Sequence, residues 1–270
     1  MKAVKPKVFL VAETQPVWFS GQGIPALDDY IKHITEGKGW SGKGQDEDYS
    51  GAEVLVEIMG RSCYKSFGTE LNPNITKVRD SGEAYLKNII NIGHGSVLEH
   101  SSVSFMFCNV SRVFTHELVR HRVGCAISQE SLRFVRLEEI DAWAPTIIKE
   151  NQIAMEVFSA AIKQSETAYG TLTDLLIEPG MKFSQKKIIT SALRRIAPIG
   201  LATNIGWTAN FRTLRHVLEM RTDPSAEEEI RLVFSMVGDI LKIRYPSIFG
   251  DYNRHFIDGY WHYQTKNRKV

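Results

Sequence analysis

The chain has 270 residues, 43% of them hydrophobic and 24% charged, with a formal net charge of +2. Those values suit one large or two small globular domains whose core needs no covalent staples. They exclude a disordered chain, and the small net charge provides no global field to gather nucleic acid.

Residues 8–12 read as a short buried strand, too short for a signal peptide. No stretch approaches the roughly 20 apolar residues that cross a bilayer. A polar, Gly-rich run over 14–51 reads as an insertion or flexible lid. Helical periodicity follows over 53–64 (Val54, Val56, Ile58, Met59) and over 83–92 (Leu86, Ile89, Ile90), the second stopped by Gly93. Val103, Phe105 and Phe107 alternate as in a strand. Ser111 is placed to cap a helix that reaches Arg122 and ends at Gly124, and 132–136 reads as a second strand.

Helices dominate from there. Phe158, Ile162, Tyr169, Leu172 and Leu176 share a face before Pro179-Gly180. Ser184 is read as the cap of a helix reaching about Ile196, and Asn210 of one ending near Arg221. Asp223 as N-cap with Pro224 at the first helical position opens the last long helix, striped by Ile230, Val233, Phe234, Val237, Ile240 and Leu241 and ended by Pro246. The pattern predicts an α+β fold: a central mixed or antiparallel sheet packed with helices, and a helical C-terminal half. Cys63, Cys108 and Cys125 form no C-x-x-C pair, which favours a reduced, cytoplasmic setting over a disulfide framework or zinc knuckle.

His116-Glu117-Leu118-Val119-Arg120-His121 looks like a zinc-protease motif, but its histidines are five residues apart instead of four. At about 100° per residue a helix would separate them by roughly 140°. No metal is expected. The stronger constellation is Arg120-His121-Arg122 at a helix end, followed by Ser128, Gln129, Glu130, Ser131 and Arg133. Cations in a last turn often only offset the helix dipole. Here their density, next to a polar run, reads as a wall of donors for a polyanionic ligand.

Those residues resemble the signature of flavin-dependent thymidylate synthases, R-H-R, seven residues, then S-x-R-[YF]. In this chain eight residues separate Arg122 from Ser131-Leu132-Arg133-Phe134, and Gln129-Glu130 stands nearest the usual Asn-Glu. Further matches follow in chain order. Arg61-Ser62-Cys63-Tyr64 resembles A-R-x-[SC]-[FY], and Gly93 to His100 resembles G-H-x-[ST]-x-x-E-H. Ser111-Arg112 to Arg120 resembles S-R-x-x-x-x-Q-x-x-R, with Glu117 in place of the glutamine. Arg194 precedes Pro198 as in R-x-x-x-P, and Trp207 to His216 with Arg221 resembles W-T-x-N-x-R-S-L-x-[NH] followed by L-R. Ser225 stands where a flavin-contacting histidine often follows.

The resemblance implies C5-methylation of dUMP, with FAD as hydride carrier, methylenetetrahydrofolate as carbon donor and NADPH as reductant. It implies a homotetramer with active sites shared between subunits, and neither nucleic-acid nor membrane partners. It assigns Ser131, Arg120 and Arg221 to catalysis, and Glu117, Arg120, Glu130, Ser131, Leu132, Arg133, Arg194 and Arg221 to the substrate. Cys63, His94, Ser96, Glu99, Arg120, His121, Arg122, Asn210, Arg212 and His216 go to the flavin. It divides the chain into an N-terminal strand with insertion (1–52), a catalytic domain (53–245) and a tail (246–270).

The spacing adds its own argument. Arg212 and His216 are an i,i+4 pair on one helix face. Arg221, nine residues past Arg212, faces about 180° away, on the side of Leu214 and Leu218. An arginine there needs a carboxylate, a ligand or a second subunit. Ser131 reads as an orienting hydroxyl, since no general base adjoins it, and Cys125 matches no catalytic position of the family. Two alternatives stay open: methylation of UMP, since a ribose 2′-hydroxyl would suit an acceptor such as Glu117, and a non-catalytic nucleotide-binding homologue.

Overall fold

In the computed structural model the alternation of Val103, Phe105 and Phe107 does form a strand, and it lies inside a four-stranded antiparallel sheet. Residues 2–19, 23–35, 49–68, 73–74, 77–79, 81–133 and 139–270 are described. In chain order they give β1 (Lys2–Ala3), β2 (Lys7–Glu13), α1 (Leu27–Ile34), α2 (Gly51–Tyr64), α3 (Gly82–Ile92) and a 3₁₀ turn over Gly95–His100. Next come β3 (Ser102–Ser111), α4 (Arg112–Leu118), β4 (Cys125–Gln129), β5 (Asp141–Ala142), α5 (Thr146–Lys149), α6 (Gln152–Leu176) and α7 (Phe183–Leu193). The chain closes with β6 (Ala202–Asn210), α8 (Phe211–Thr222), α9 (Glu228–Arg244), α10 (Pro246–Phe249), β7 (Asn253–Ile257) and β8 (Tyr260–Gln264).

The main sheet runs β2-β3-β6-β4. One face carries Phe105, Phe107 and Trp207, all buried, and α8 and α9 cover it with Phe211, Leu214, Val233 and Phe234. Trp207 and Phe234 meet edge to face at 5.7 Å, and Phe107 meets Phe114 of α4 in the same way at 5.4 Å. Such geometry suits ring quadrupoles and adds to area burial. A smaller core under α6 and α7 contains Ile140, Ile162, Tyr169, Leu193 and Leu201. The fold is α+β, with an antiparallel sheet and a largely helical second half.

Several elements differ from expectation. Strand β2 is an edge strand, not a buried one: Phe9 and Val11 are about half exposed. Within 14–51 there is a helix, α1; residues 20–22 and 36–48 of that stretch lie outside the described residues. Ser111 does cap α4, accepting from Phe114 N at 3.1 Å, but the helix ends at Leu118 and tightens into i→i+3 turns at Arg120 and His121. The strand expected over 132–136 is not where the sheet continues: Leu132 and Arg133 form a turn, 134–136 lie outside the described residues, and β4 pairs with β6 earlier in the chain. The polar run at Ser128-Gln129 is therefore mostly strand.

The cap of α7 is Lys182, not Ser184, and that of α9 is Glu227, whose carboxylate accepts from Glu229 N and Ile230 N. Asp223 instead holds a turn, accepting from Ser225 N at 2.9 Å. Strand β6 was not anticipated, although Thr203, Ile205, Trp207 and Ala209 alternate inward along it. The β7–β8 hairpin was not anticipated either; it buries His262 and Tyr263 against α8 and α9. No described helix is long and apolar enough to cross a membrane.

Candidate active site

The site is assembled where β6 stops and α8 starts. Asn210 caps α8, its Oδ1 accepting from Thr213 N at 2.8 Å. The same residue donates its backbone N–H to Gly124 O (2.9 Å), and Thr213 Oγ1 donates to Val123 O (2.8 Å). Gly124 has φ +67°, and a Cβ there would overlap the Asn210 amide and the Thr213 hydroxyl. Only a glycine allows so close a seam. This seam presses the Arg120-His121-Arg122 loop against the first turn of α8.

A cleft of about 390 Å³ results, lined by Arg120, His121, Arg122, Asn210, Arg212 and His216, with Glu99 reaching in from the 3₁₀ turn. Glu99 accepts from Arg212 Nη1 at 2.6 Å, and both side chains are about half exposed. Seven residues expected to hold a flavin thus meet in one place. Three guanidiniums beside backbone and amide donors form a donor set that suits a phosphate-bearing, anionic ligand.

Of the three partners open to Arg221, a carboxylate, a ligand or a second subunit, the structure gives it a carboxylate. Its Nη1 donates to Glu117 Oε2 at 2.6 Å, its Nη2 to Glu117 O at 3.1 Å, and its Nε to His121 Nε2 at 2.8 Å. His121 therefore accepts at Nε2 and carries its proton on Nδ1. Burial, then the charges of Arg221 and His216, push its pKa down to about 4, so the ring is neutral near pH 7. His121 links the cleft to Arg221, which stands behind it.

The remaining residues fall at two other places. His94 pairs with Tyr64, whose hydroxyl lies 2.7 Å from Nδ1 and whose ring stacks at 5.4 Å. Ser96 is exposed on the 3₁₀ turn and Cys63 is an exposed free thiol on α2. The second place lies at the opposite end of β4. Cys125 pairs with Ala209 and Gln129 with Ile205, so the ladder runs away from the cleft. At about 3.3 Å per residue, Glu130 sits roughly 20 Å from Gly124. Glu130 accepts at Oε2 from Asn204 N (3.2 Å), and Ser131 Oγ accepts from Arg133 N (3.3 Å). Arg133 and Arg194 are exposed, Leu132 is buried, and Thr190 Oγ1 donates to Arg133 O.

Arg112 was not among the expected site residues. It donates to Glu130 O at 3.2 Å, its Nε has no protein partner, and burial followed by the nearby Arg194 charge depresses its pKa. Tyr64 and Thr213 were also not assigned to the site, although Tyr64 ends the Arg61-to-Tyr64 match and Thr213 stands at the cap-plus-three position of Asn210, inside the Trp207-to-His216 match. Cys125 Sγ donates to His121 O at 2.8 Å. Among the described residues no cluster of three or more His, Cys, Asp or Glu could hold a metal ion, and His121 lies beyond the helix that carries His116.

Fold and cleft together define an α+β enzyme with an arginine- and histidine-lined cleft between a loop and a helix start. The profile of the family described as "Thymidylate synthase complementing protein" matches residues 47–247. The chain is 37% identical over 209 residues to the flavin-dependent thymidylate synthase of Corynebacterium glutamicum, covering 76% of this chain and 81% of that protein. It is 35% identical over 210 residues to that of Mycolicibacterium gilvum, with 76% and 81% covered. The structure of a UMP/dUMP methylase, PolB, from Streptomyces cacaoi bound with 5-Br dUMP is similar in fold: TM-score 0.62, 16% identity, 93% of this chain and 96% of that one. The chain belongs to the flavin-dependent thymidylate synthase family, and is therefore a methyltransferase.

Proposed function

We propose that the chain converts dUMP to dTMP by FAD-dependent C5-methylation, with methylenetetrahydrofolate as carbon donor and NADPH as reductant. The observation that carries this reading is the single cleft that gathers Arg120, His121, Arg122, Asn210, Arg212 and His216 from separate family motifs. A bound flavin supplies hydride chemistry that no side chain can. Arg122, Arg212, His216 and Asn210 hold it, with Glu99 fixing Arg212, and His94, Ser96 and Cys63 border it. Arg120 faces the pyrimidine carbonyls, where a fixed cation stabilises the enolate that develops when C6 is attacked, and Arg221 supports this frame from behind the cleft through Glu117 and His121. Arg133 and Arg194 take the 5′-phosphate, for which a planar guanidinium is suited. Ser131 orients the nucleotide, and Glu130 and Leu132 complete its pocket.

The two arginine sets lie at opposite ends of β4, which supports sites completed between copies of the chain in a homotetramer. Exposed Ile153, Val157, Leu175, Phe183 and Ile188 on α6 and α7 give such an assembly apolar surface to cover. Three unpaired cysteines suit the reducing cytoplasm, where we place the enzyme. A second reading, UMP as substrate, is favoured by Glu117: its Oε1 accepts from no protein group among the described residues and would suit a ribose 2′-hydroxyl. The similar fold of a UMP/dUMP methylase is in keeping with either nucleotide.

The test is direct. The purified protein should be yellow and, given the folate and NADPH, should release tritium from [5-³H]dUMP and form dTMP, with UMP run beside it. Arg212→Ala and His94→Ala should weaken flavin retention. A colourless protein whose addition leaves FAD fluorescence unquenched would sink the reading.

A further inference from the structure

Residues 265–270 lie beyond the segment matched by the family profile, yet they leave β8 and return to the 3₁₀ turn over Gly95–His100. A Cβ added to Gly95 would lie 3.2 Å from both Lys269 O and Val270 Cα, and 3.0 Å from Arg212 Nε. One added to Gly93, at φ +79°, would lie 3.5 Å from Lys269 Cβ. The segment, the turn and the cleft arginine are therefore packed in layers, with Gly95 between them. Gly95 stands at the unspecified position of the G-H-x-[ST]-x-x-E-H match, and a side chain there would not allow this approach.

A buried charge holds the segment in place. Arg215, one turn past Arg212 on α8, is fully buried. Its Nη1 and Nη2 donate to Asp251 at 2.7 and 2.8 Å, Nη1 also to Ile248 O, and Nε to Val270 O at 3.4 Å. A buried guanidinium that loses an acceptor is costly, so Arg215 keeps Val270 where it is. Asp251 accepts further at Oδ2 from Thr265 Oγ1 (2.5 Å) and Asn267 Nδ2 (3.0 Å), and Asn267 N donates to Thr265 Oγ1 (3.0 Å). Arg268 adds a surface tie to Glu219 at 2.9 Å. Arg215, Asp251, Thr265, Asn267 and Val270 do not themselves line the cationic cleft.

Their effect falls on a pair that does. Glu99 and Arg212 are each about half exposed, so burial does not fix their 2.6 Å contact. Exposed ion pairs are weak and hold geometry poorly on their own. Here the turn that carries Glu99 is backed by a segment tied to the buried end of Arg215, on the same helix as Arg212. We propose that residues 265–270, anchored through Asp251 and Arg215, are a positioning segment for the cleft: they hold the 3₁₀ turn against Arg212 and so set the Glu99–Arg212 pair. The ligand-binding arm of its test rests on the flavin reading above.

Two variants test the role. One lacks residues 266–270; the other, Thr265→Val/Asn267→Ala, unties the segment at full length and serves if the first does not fold. Hydrogen exchange is followed on protein without added flavin. Exchange over 93–100 should rise about 10-fold in both variants, while that of β3 and β6 stays within about twofold of wild type. Thr265→Ser, which keeps the hydroxyl, should exchange as wild type. In fluorescence titrations each variant should bind FAD about 10-fold more weakly, and adding Glu99→Gln should cost little more, because both changes act through one pair. Unchanged exchange over 93–100 in a folded variant, an equal rise across the whole chain, or full additivity with Glu99→Gln would overturn the proposal. Wild-type protein that binds no FAD would remove the flavin reading instead, and the exchange result would then decide the positioning role alone.

Discussion

Arg221 donates from Nε to His121 Nε2 at 2.8 Å while its Nη1 holds Glu117 at 2.6 Å, so an arginine of α8 fixes both the tautomer of His121 and the end of α4. This joins the R-H-R loop to the last turn of α8, eleven residues from the cap that begins that helix. The loop is thus pinned twice, at Gly124 by Asn210 and at His121 by Arg221, and its two arginines are presented by a fixed frame.

The bond makes His121 an acceptor over the whole working range. Its pKa, near 4, lies below the roughly 6.5 of an unfolded histidine, so the unfolded chain binds more protons between those values. This contribution to stability is present above about pH 6.5 and is lost as pH falls towards 4. Ring NMR should show His121 untitrated from pH 5 to 9, and Arg221→Ala should raise its midpoint. A wild-type midpoint above 6 would contradict the assignment.

Glu229 has the opposite sign. It is buried beneath the α4 cap, accepting from Ser111 N at 2.7 Å and from the Ser111 hydroxyl, and burial pushes its pKa up to about 7. The folded chain therefore holds an extra proton between about 4.3 and 7, and stability falls as pH rises through that window. The effect is on the order of 1–3 kcal/mol. Urea unfolding at pH 5 and 7.5 should show that Glu229→Gln removes this difference. Identical pH dependence in variant and wild type would count against it.

Cys125 lies beside the cleft, with its thiol donating to His121 O. Cys125→Ala should keep at least about a fifth of turnover, since a lost thiol hydrogen bond costs on the order of 1 kcal/mol or less. Ser131→Ala should lose nucleotide affinity chiefly, seen as a raised KM for dUMP. A covalent nucleotide adduct on Cys125, found by mass spectrometry, would reverse these roles.

Arg133 and Arg221 lie in different clusters at opposite ends of β4. If one nucleotide uses both, they come from different copies. Arg133→Ala and Arg221→Ala oligomers, each nearly inactive, should regain roughly a quarter of wild-type activity when dissociated and randomly mixed. Mixed oligomers confirmed by tag pull-down yet still dead would rule out the shared site for this pair.

The local signals in the sequence were decisive where one residue's chemistry settles the backbone. Ser111 and Asn210 could be read as caps because a short hydroxyl or amide next to an apolar helix leaves few other roles, and both accept from the third residue on. The inward alternation of Val103, Phe105 and Phe107, and the motifs that joined Arg120 to His121 and Arg122, were legible for the same reason. Strand β6 was not, although its alternation is as regular, because two of its inward positions are Thr203 and Ala209, which leaves only Ile205 and Trp207 as large apolar residues to mark the period. What only the tertiary structure decided is pairing. Register along β4 and β6 sends Glu130, Ser131 and Arg133 away from Arg120, although they are close in sequence. The sheet and α9, on which α4 packs, bring the end of α4 to the last turn of α8 and so give Arg221 its carboxylate from a position 104 residues earlier. The reason is physical. Caps and periodicity act over one turn or one strand, whereas a buried charge selects its partner by where the cores of distant elements bring it.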